Sequence, residues 1–304
     1  MNNIVIFQTR PGIGDMCIFL PTIEKIFQKF PSSKITLVTK KSSRAKNFLK
    51  PEFLNFDKII YIEDIKINSS TFFSLTQFLK QNEFNKAFIM HYGLKYFLPC
   101  KISKIKNIYH YGFLKKKENI SKKLKSITTK WLGISNYDAS TKISYNAEIH
   151  EGKKILIGIG SSGISRRWST EKFIKLIKKI NDKYKYDFFI LAGKNEKNLS
   201  NEIIKGCPSI KIYSLCDMEI YETFKFIKKS IIYVGTDSAF MHLSGALGVL
   251  SFGLFGDTPT NYAEYSKNII PIIPENLKKI SHRSNAMDKI KVEWVYENIK
   301  NKLI

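Results

Sequence analysis

The sequence predicts an α/β protein made of two doubly wound domains facing a cleft, each a parallel sheet with helices on both faces. Three observations predict it. Short apolar, β-branched runs alternate with segments of helical period along nearly all of the 304 residues. That alternation lapses once, over Asn136–Gly152, where the chain turns polar; this divides it into residues 1–145 and 146–304. Small-residue loops follow several of the strand-like runs, at the carboxyl ends where open α/β sheets bind ligands.

In the first half, Asn3–Gln8 (NIVIFQ) reads as a strand, and Thr9–Asp15 (TRPGIGD) as a glycine-containing loop. A helix from about Met16 to Phe30 keeps Phe19, Leu20, Ile23, Ile26 and Phe27 on one face. Strands follow at Lys34–Thr39, Lys58–Ile62 and Lys86–Met90, with helices near Ser42–Leu49 and Thr71–Leu79 between them. Lys101–Lys130 carries ten lysines against one acidic residue, Glu118, with Tyr109, Tyr111 and Phe113 interleaved. We read it as a flexible solvated excursion leading into a helix from about Glu118 to Leu132, with contact to an anionic acceptor or lipid headgroups as the second reading.

In the second half, Lys154–Ile159 restarts the pattern as a buried strand, followed by the loop Gly160–Ser165 and then Arg166, Arg167 and Trp168. Ser169 and Glu171 open a helix whose apolar face is Phe173, Leu176, Ile177 and Ile180. Strands at Asp187–Ala192 and Lys211–Leu215 alternate with helices ending near Lys205 and spanning Met218–Lys229. Ile231–Val234 is a wholly apolar strand. Gly235–Ser238 turns into an apolar helix, Ala239–Leu247, and Leu250–Phe255 is the next strand. A closing helix spans Met287–Leu303 and is free to pack back on the first domain.

The four cysteines are scattered and form no CxxC or Cys/His cluster, so no metal site is expected and a reduced intracellular compartment fits. No secretory leader is expected, since the first strand-like run has no basic region before it, and no apolar run approaches the ~20 residues of a membrane span. The net charge of +24 raises a nucleic-acid reading. The lysines lie on the polar faces of helices, however, and no helix-turn-helix, RRM or zinc-finger pattern is present.

Several residues stand where chemistry is done. Asp15, opening the first helix, either steadies the helix dipole or serves as a general base. Gly12 and Gly14 precede it, but this is not GxGxxG, and Lys40 and Lys41 stand where an acidic strand end would hold a nicotinamide ribose. An oxidoreductase reading therefore fits poorly. The loop with Ser161, Ser162 and Arg166 suits a pyrophosphate; alternatively its arginines are surface residues beside a packed tryptophan. Asp237, Ser238 and Ala239 lie where a helix N-terminus offers free N–H groups to phosphate, unless Asp237 only caps the helix. His242 alone reads as a hydrogen-bonded core histidine.

Taken together, GIGDMCIFLP, GIGSSGISRRWSTEKF, LAGKNE, VGTDSAFMHLSGALG, FGLFGDT and MDKIKVEWV, in this order and spacing, resemble the ADP-heptose-dependent glycosyltransferases of family 9 over nearly the whole chain. The resemblance implies a GT-B fold, with the acceptor on the N-terminal Rossmann-like domain and the nucleotide sugar on the C-terminal one. It implies an inverting, metal-independent transfer with no cofactor beyond the nucleotide-sugar substrate. Asp15 matches the catalytic base. Arg166, Ser161, Ser162, Asp237, Ser238, Ala239 and His242 match the donor-phosphate region. Gly193 with Asn195 or Glu196 matches the nucleoside region, and Arg10, Gly12 and Gly14 match the acceptor loop. Arg166 stands where Lys is usual and Ala239 where Gly is common. The implied partners are a nucleotide sugar and an anionic glycolipid or glycan acceptor, with no specific nucleic acid. The implied location is the cytoplasm, peripheral to the inner face of the membrane. The other reading, drawn from charge alone, is a protein that binds anionic surfaces or nucleic acid.

Overall fold

A computed structural model describes residues 2–65, 71–114, 119–135, 138–146, 153–161 and 163–303. It divides into two compact units, Met1–Thr141 and Lys142–Ile304, the division falling inside the polar stretch that the sequence marks as a junction.

The first unit is a five-stranded parallel sheet in the order β3-β2-β1-β4-β5. Its strands are β1 (Asn3–Phe7), β2 (Lys34–Thr39), β3 (Lys58–Tyr61), β4 (Lys86–Ile89) and β5 (Asn107–His110). Helices α1 (Ile13–Lys29), α2 (Ala45–Phe48), α3 (Thr71–Gln81), α4 (Phe97–Ile102) and α5 (Ile120–Leu132) connect and follow them. One face of β1 and β4 buries Val5, Phe7, Ala87 and Ile89 against Leu75, Leu79, Tyr96 and Cys100 of the α3–α4 side. On the α1–α5 side, buried Thr22 and Thr128 share a hydroxyl hydrogen bond of 2.8 Å. Pro21 lies within α1 and has no N–H to give the Cys17 carbonyl one turn back. The buried Thr141 hydroxyl donates to that carbonyl instead, tying the end of the unit to its first helix.

Two expectations need correction here. Helix α1 begins at Ile13 rather than near Met16, so Asp15 lies inside its first turn. The lysine-rich stretch from 101 is not a solvated excursion through its described part, 101–114. It completes α4 and supplies the edge strand β5, whose Tyr109 stacks on Phe88 of β4 with centroids 4.5 Å apart. Only the aromatic and β-branched residues of NIYHY announce that strand. Residues 115–118 lie outside the described residues. Helix α5 is capped by the Asn119 side chain and closed by Gly133 in the left-handed conformation.

The second unit is a six-stranded parallel sheet in the order β11-β10-β9-β6-β7-β8. The strands are β6 (Lys154–Gly158), β7 (Asp187–Leu191), β8 (Ile212–Ser214), β9 (Ile232–Thr236), β10 (Leu250–Leu254) and β11 (Ile269–Ile272). The helices are α6 (Thr170–Tyr184), α7 (Lys197–Lys205), α8 (Ile220–Lys228), α9 (Ala239–Ala246) and α10 (Val292–Ile299). Strand β11 was not read from the sequence: its apolar residues are broken by Pro271 and lie at the sheet edge, where a missing N–H is tolerated. The closing helix is shorter than its apolar register suggested. Its regular part, α10, packs against α6 within this unit, with Val295 and Ile299 in the core; 3₁₀ turns occupy Met287–Lys289 and Lys300–Lys302. The indole N–H of Trp168 donates to the Ile290 carbonyl at 3.0 Å and so joins the loop after β6 to the approach to α10.

All four cysteines are buried and unbridged. Burial pushes the Cys100 thiol up to about 12, and raises Cys17 further, so neither is a ready nucleophile.

Strands β6 and β9 approach closely where Gly158 pairs with Gly235. A Cβ on Gly235 would fall on the backbone of Gly158, and one on Gly158 would fall on the Tyr233 hydroxyl. Gly235→Ala is expected to lower unfolding stability by about 3 kcal/mol, the upper end of over-packing costs. Gly163→Ala, where a Cβ meets nothing, should stay within about 0.5 kcal/mol of the parent. Urea denaturation midpoints of the two variants check the contrast.

Candidate functional site

All strands of a parallel sheet end on one edge, and in both units that edge collects the polar side chains that the sequence singled out. In the first unit, Gly12 is the N-cap of α1 at φ 94°, a backbone conformation that favours glycine. The cap makes no side-chain hydrogen bond. Gly14 and Asp15 follow in the first turn. Arg10 places its guanidinium 4.0 Å from the Asp15 carboxylate and 5.5 Å from the Phe19 ring centre. Gln8 and Thr9, at the end of β1, are buried, and Gln8 Nε2 and Thr9 Oγ1 have no hydrogen-bond partner among the described residues.

Sequence reading missed His91, which follows β4. Its Nδ1 donates to the Tyr92 carbonyl at 2.6 Å, and its ring meets Tyr96 edge-on. Burial holds its pKa below the ordinary histidine value, and the positive field of Arg10, Lys95 and Lys40 lowers it further. His110, at the end of β5, is also depressed, chiefly by burial; its Nε2 lies 3.0 Å from the Gly93 carbonyl. The signal available was positional: Lys40 and His91 immediately follow strand-like runs.

In the second unit three carboxylates organise the edge. Glu196 is buried; one of its oxygens accepts from Ser161 N at 2.8 Å and the other from Gly193 N at 2.9 Å. Arg167 Nη2 stands 4.0 Å from the first of these oxygens. The loops after β6 and β7 are thus fastened to a single side chain, while Asn195 beside it is exposed. Asp257, just beyond β10, accepts from the Ser165 hydroxyl at 2.8 Å and from Asn285 N at 2.9 Å. The Asn285 amide, the Ser165 hydroxyl and the charge of Arg166 keep its carboxyl below the usual range. The sequence showed Asp257 only as the end of FGLFGDT and assigned it no role.

The third carboxylate, Asp237, does not cap α9. The N-cap is Ser238, with no side-chain cap bond, so among the described residues no side chain caps the first amides of α9. Asp237 instead lies 3.5 Å from His242 Nε2, and His242 Nδ1 lies 2.8 Å from the Tyr265 hydroxyl. His242 and Tyr265 are buried and Asp237 is partly so, which makes His242 a core histidine linked to the turn. The Ser238 hydroxyl meets that of buried Tyr233 at 3.2 Å, and Thr236 Oγ1 bonds the Gly160 carbonyl. The structure therefore brings Ser161, Gly193, Glu196, Asp237, Ser238, Ala239 and His242 to one sheet edge, with Arg166 tied to it through Asp257. Ser162 lies outside the described residues. No group of three or more His, Cys, Asp or Glu among the described residues could hold a metal ion.

A parallel α/β unit with a helix N-terminus that no described side chain caps, small-residue loops and arginines near its carboxyl edge suits a phosphate-bearing ligand. Together with a second unit of the same kind, it has the two-unit fold called GT-B. The chain belongs to glycosyltransferase family 9 (heptosyltransferase), whose model matches residues 115–291. It is 27% identical over 96% of its length to lipooligosaccharide heptosyltransferase 2 of Campylobacter jejuni, covering 95% of that protein. Among solved structures, Escherichia coli ADP-heptose lps heptosyltransferase II superposes with a TM-score of 0.76 at 15% identity, covering 100% of this chain and 98% of the other. An Escherichia coli heptosyltransferase with ADP-2-deoxy-2-fluoro heptose gives 0.72 at 14% identity, covering 98% and 99%.

Asp257 gives a pH-dependent prediction. Its folded pKa lies below its unfolded value, so its stabilisation is complete above about 3.9 and fades as pH falls through the folded value. Asp257→Asn should cost about 1–3 kcal/mol at pH 7, because the Ser165 hydroxyl loses its acceptor and Arg166 its counter-charge. The gap from the parent should close in acid, as measured by denaturant unfolding at a series of pH values.

Proposed function

We propose that the chain is an inverting, metal-independent heptosyltransferase that moves heptose from ADP-heptose to a lipopolysaccharide-core or other surface-glycan acceptor. The second unit binds the donor and the first binds the acceptor. The observation that carries the donor reading is the α9 N-terminus, which no described side chain caps and which the Thr236–Gly160 hydrogen bond joins to the loop of Ser161. Family membership supports heptose as the sugar. An ADP-heptose analogue bound to a structural neighbour and the lipooligosaccharide named for the Campylobacter relative support the donor and acceptor classes.

In this reading Asp15 takes the proton of an acceptor hydroxyl as its oxygen attacks the anomeric carbon. The new carbon–oxygen bond forms as the bond from that carbon to the diphosphate oxygen breaks. The configuration inverts, and ADP leaves with the electron pair. Arg166 and the amides at Ser238 and Ala239 stabilise the charge that gathers on the diphosphate, the work a metal would otherwise do. Asn195, exposed, and the Gly193 backbone meet the nucleoside, with Glu196 fixing the loops that present them. His242 and Tyr265 hold the Asp237 carboxylate at the turn. Arg10 and the Gly12–Gly14 loop meet the acceptor, and an anionic acceptor suits the cationic surroundings of His91. No helix among the described residues is long and apolar enough to cross a membrane. A lipid-anchored acceptor would place the chain on the cytoplasmic face of the inner membrane as a peripheral protein.

ADP-heptose at about one hundred times its Kd should add roughly 2.7 kcal/mol of stability, with UDP- and GDP-sugars ineffective in the same thermal-shift assay. A response to UDP-sugars alone would sink the donor assignment. Asp15→Asn should keep the shift and lose turnover by about 10²–10⁴-fold, whereas Arg166→Ala should lose the shift. Turnover should survive a chelator; near-normal turnover in Asp15→Asn would remove Asp15 from the mechanism.

A further inference from the structure

The β4–α4–β5 corner of the first unit carries a surface that the transfer chemistry does not use. Leu98 bonds back through its N–H to the Leu94 carbonyl, so the helical turn extends before α4 and places Leu94, Leu98 and Ile102 four residues apart on one ridge. They are 50%, 41% and 48% exposed. On the neighbouring ridge Phe97 packs edge-on against Phe113, with centroids 5.1 Å apart. Phe113 and the next residue, Leu114, are themselves 52% and 79% exposed. Isolated exposed leucines are ordinary, but five large apolar side chains gathered on one short helix and the strand end beside it are not.

Charge accompanies the apolar residues. Lys95, Lys101, Lys104 and Lys106 are all exposed around them, and the Lys101 ammonium lies 5.8 Å from the Phe97 ring centre. No Asp or Glu occurs between Glu83 and Glu118. A protein partner covering so uniformly basic a rim would need a large acidic counterpart. A bilayer rich in anionic phospholipid offers both halves at once: acyl surface for the apolar tips and phosphates for the ammonium groups. The surface also has a useful position. Strand β5 is two places from β1 in the sheet, so its carboxyl end stands about 10 Å from that of β1, where the Asp15 loop begins.

We propose that Leu94, Leu98, Ile102, Phe113 and Leu114, with their lysine rim, form a docking surface for anionic phospholipid. It deepens the membrane-side location proposed above and rests on that reading only for its purpose. Lipid binding and donor binding are measured separately, so either can fail while the other stands. Docking here holds the acceptor end of the sheet against the surface in which a lipid-anchored acceptor is embedded.

The test is co-sedimentation of the full chain with vesicles of phosphatidylcholine alone and of phosphatidylcholine with phosphatidylglycerol. The parent should partition onto the anionic vesicles and remain in solution with the neutral ones. Leu98→Glu with Ile102→Glu should weaken binding by about tenfold or more. Lys101→Glu with Lys104→Glu should weaken it similarly, each lysine at such a surface being worth about fivefold. Lys175→Glu with Lys178→Glu, on the exposed face of α6, makes the same net charge change elsewhere and should bind as the parent does. Each variant should unfold cooperatively at the parent's melting temperature in the absence of any ligand, which shows that it is folded; should the leucine variant fail that check, the lysine variant decides. Three results would overturn the proposal: no partition of the parent, equal loss in the α6 control, or a parent dimer in sedimentation velocity that Leu98→Glu dissolves.

Discussion

The second unit depends on a single buried carboxylate. Glu196 accepts backbone amides from two loops that leave different strands, Ser161 after β6 and Gly193 after β7, and it stands 4.0 Å from Arg167. A buried carboxylate is tolerable only when it is paired and hydrogen-bonded, and here each oxygen has a donor. The close approach it demands leaves no room for a Cβ at Gly160, which would meet its Oε2 at 2.7 Å. The loops that form a ligand edge are therefore fixed from beneath, by a residue that packs into the fold rather than by the ligand. Asp257 repeats the device on the β10 side with Ser165 and Asn285. Loops fixed before binding lose little freedom on binding, and donors aimed in advance are what a diphosphate leaving group requires.

Much of this architecture could be read in the sequence, because parallel strands buried on both faces are apolar runs with little competing signal. The strands from KITLVT and KILIG and the helix behind Ser169 appear nearly where periodicity put them. The elements that were lost had weak periods of their own. β5 is amphipathic and lysine-flanked, and what makes it a strand is its pairing with β4 and the stacking of Tyr109 on Phe88. β11 contains a proline and is a strand because it lies at the edge of β10. Tertiary pairing decided both, and a local window does not contain it.

The site divides along the same line. Residues on a strand-to-helix turn, such as Asp15 and Asp237, were visible because the turn itself is a local pattern. What the turn does with its side chain was not visible. Asp237 had the composition of a helix cap, yet its carboxylate lies toward His242, which Tyr265 holds from a segment 23 residues further along the chain. Asp257 takes its meaning from Ser165 and Asn285, and His91 in part from Arg10, each far from it along the chain.

The acids of the two edges differ in a way that bears on which of them suits the proposed role of base. A general base needs a lone pair that an incoming hydroxyl can reach. Glu196 and Asp257 have both oxygens occupied by donors of the fold and are buried, so taking a proton would cost them the hydrogen bonds that hold the loops. Asp237 is nearly as enclosed, its side chain 10% exposed beside His242. Asp15 keeps 22% of its side chain exposed, within 4.0 Å of a guanidinium, on the first turn of a helix that Thr141 ties down at the Cys17 carbonyl. The same chain thus spends its buried carboxylates on fixing loops and leaves a more accessible one on an anchored helix. That division of labour is what the proposed proton transfer from an acceptor hydroxyl requires.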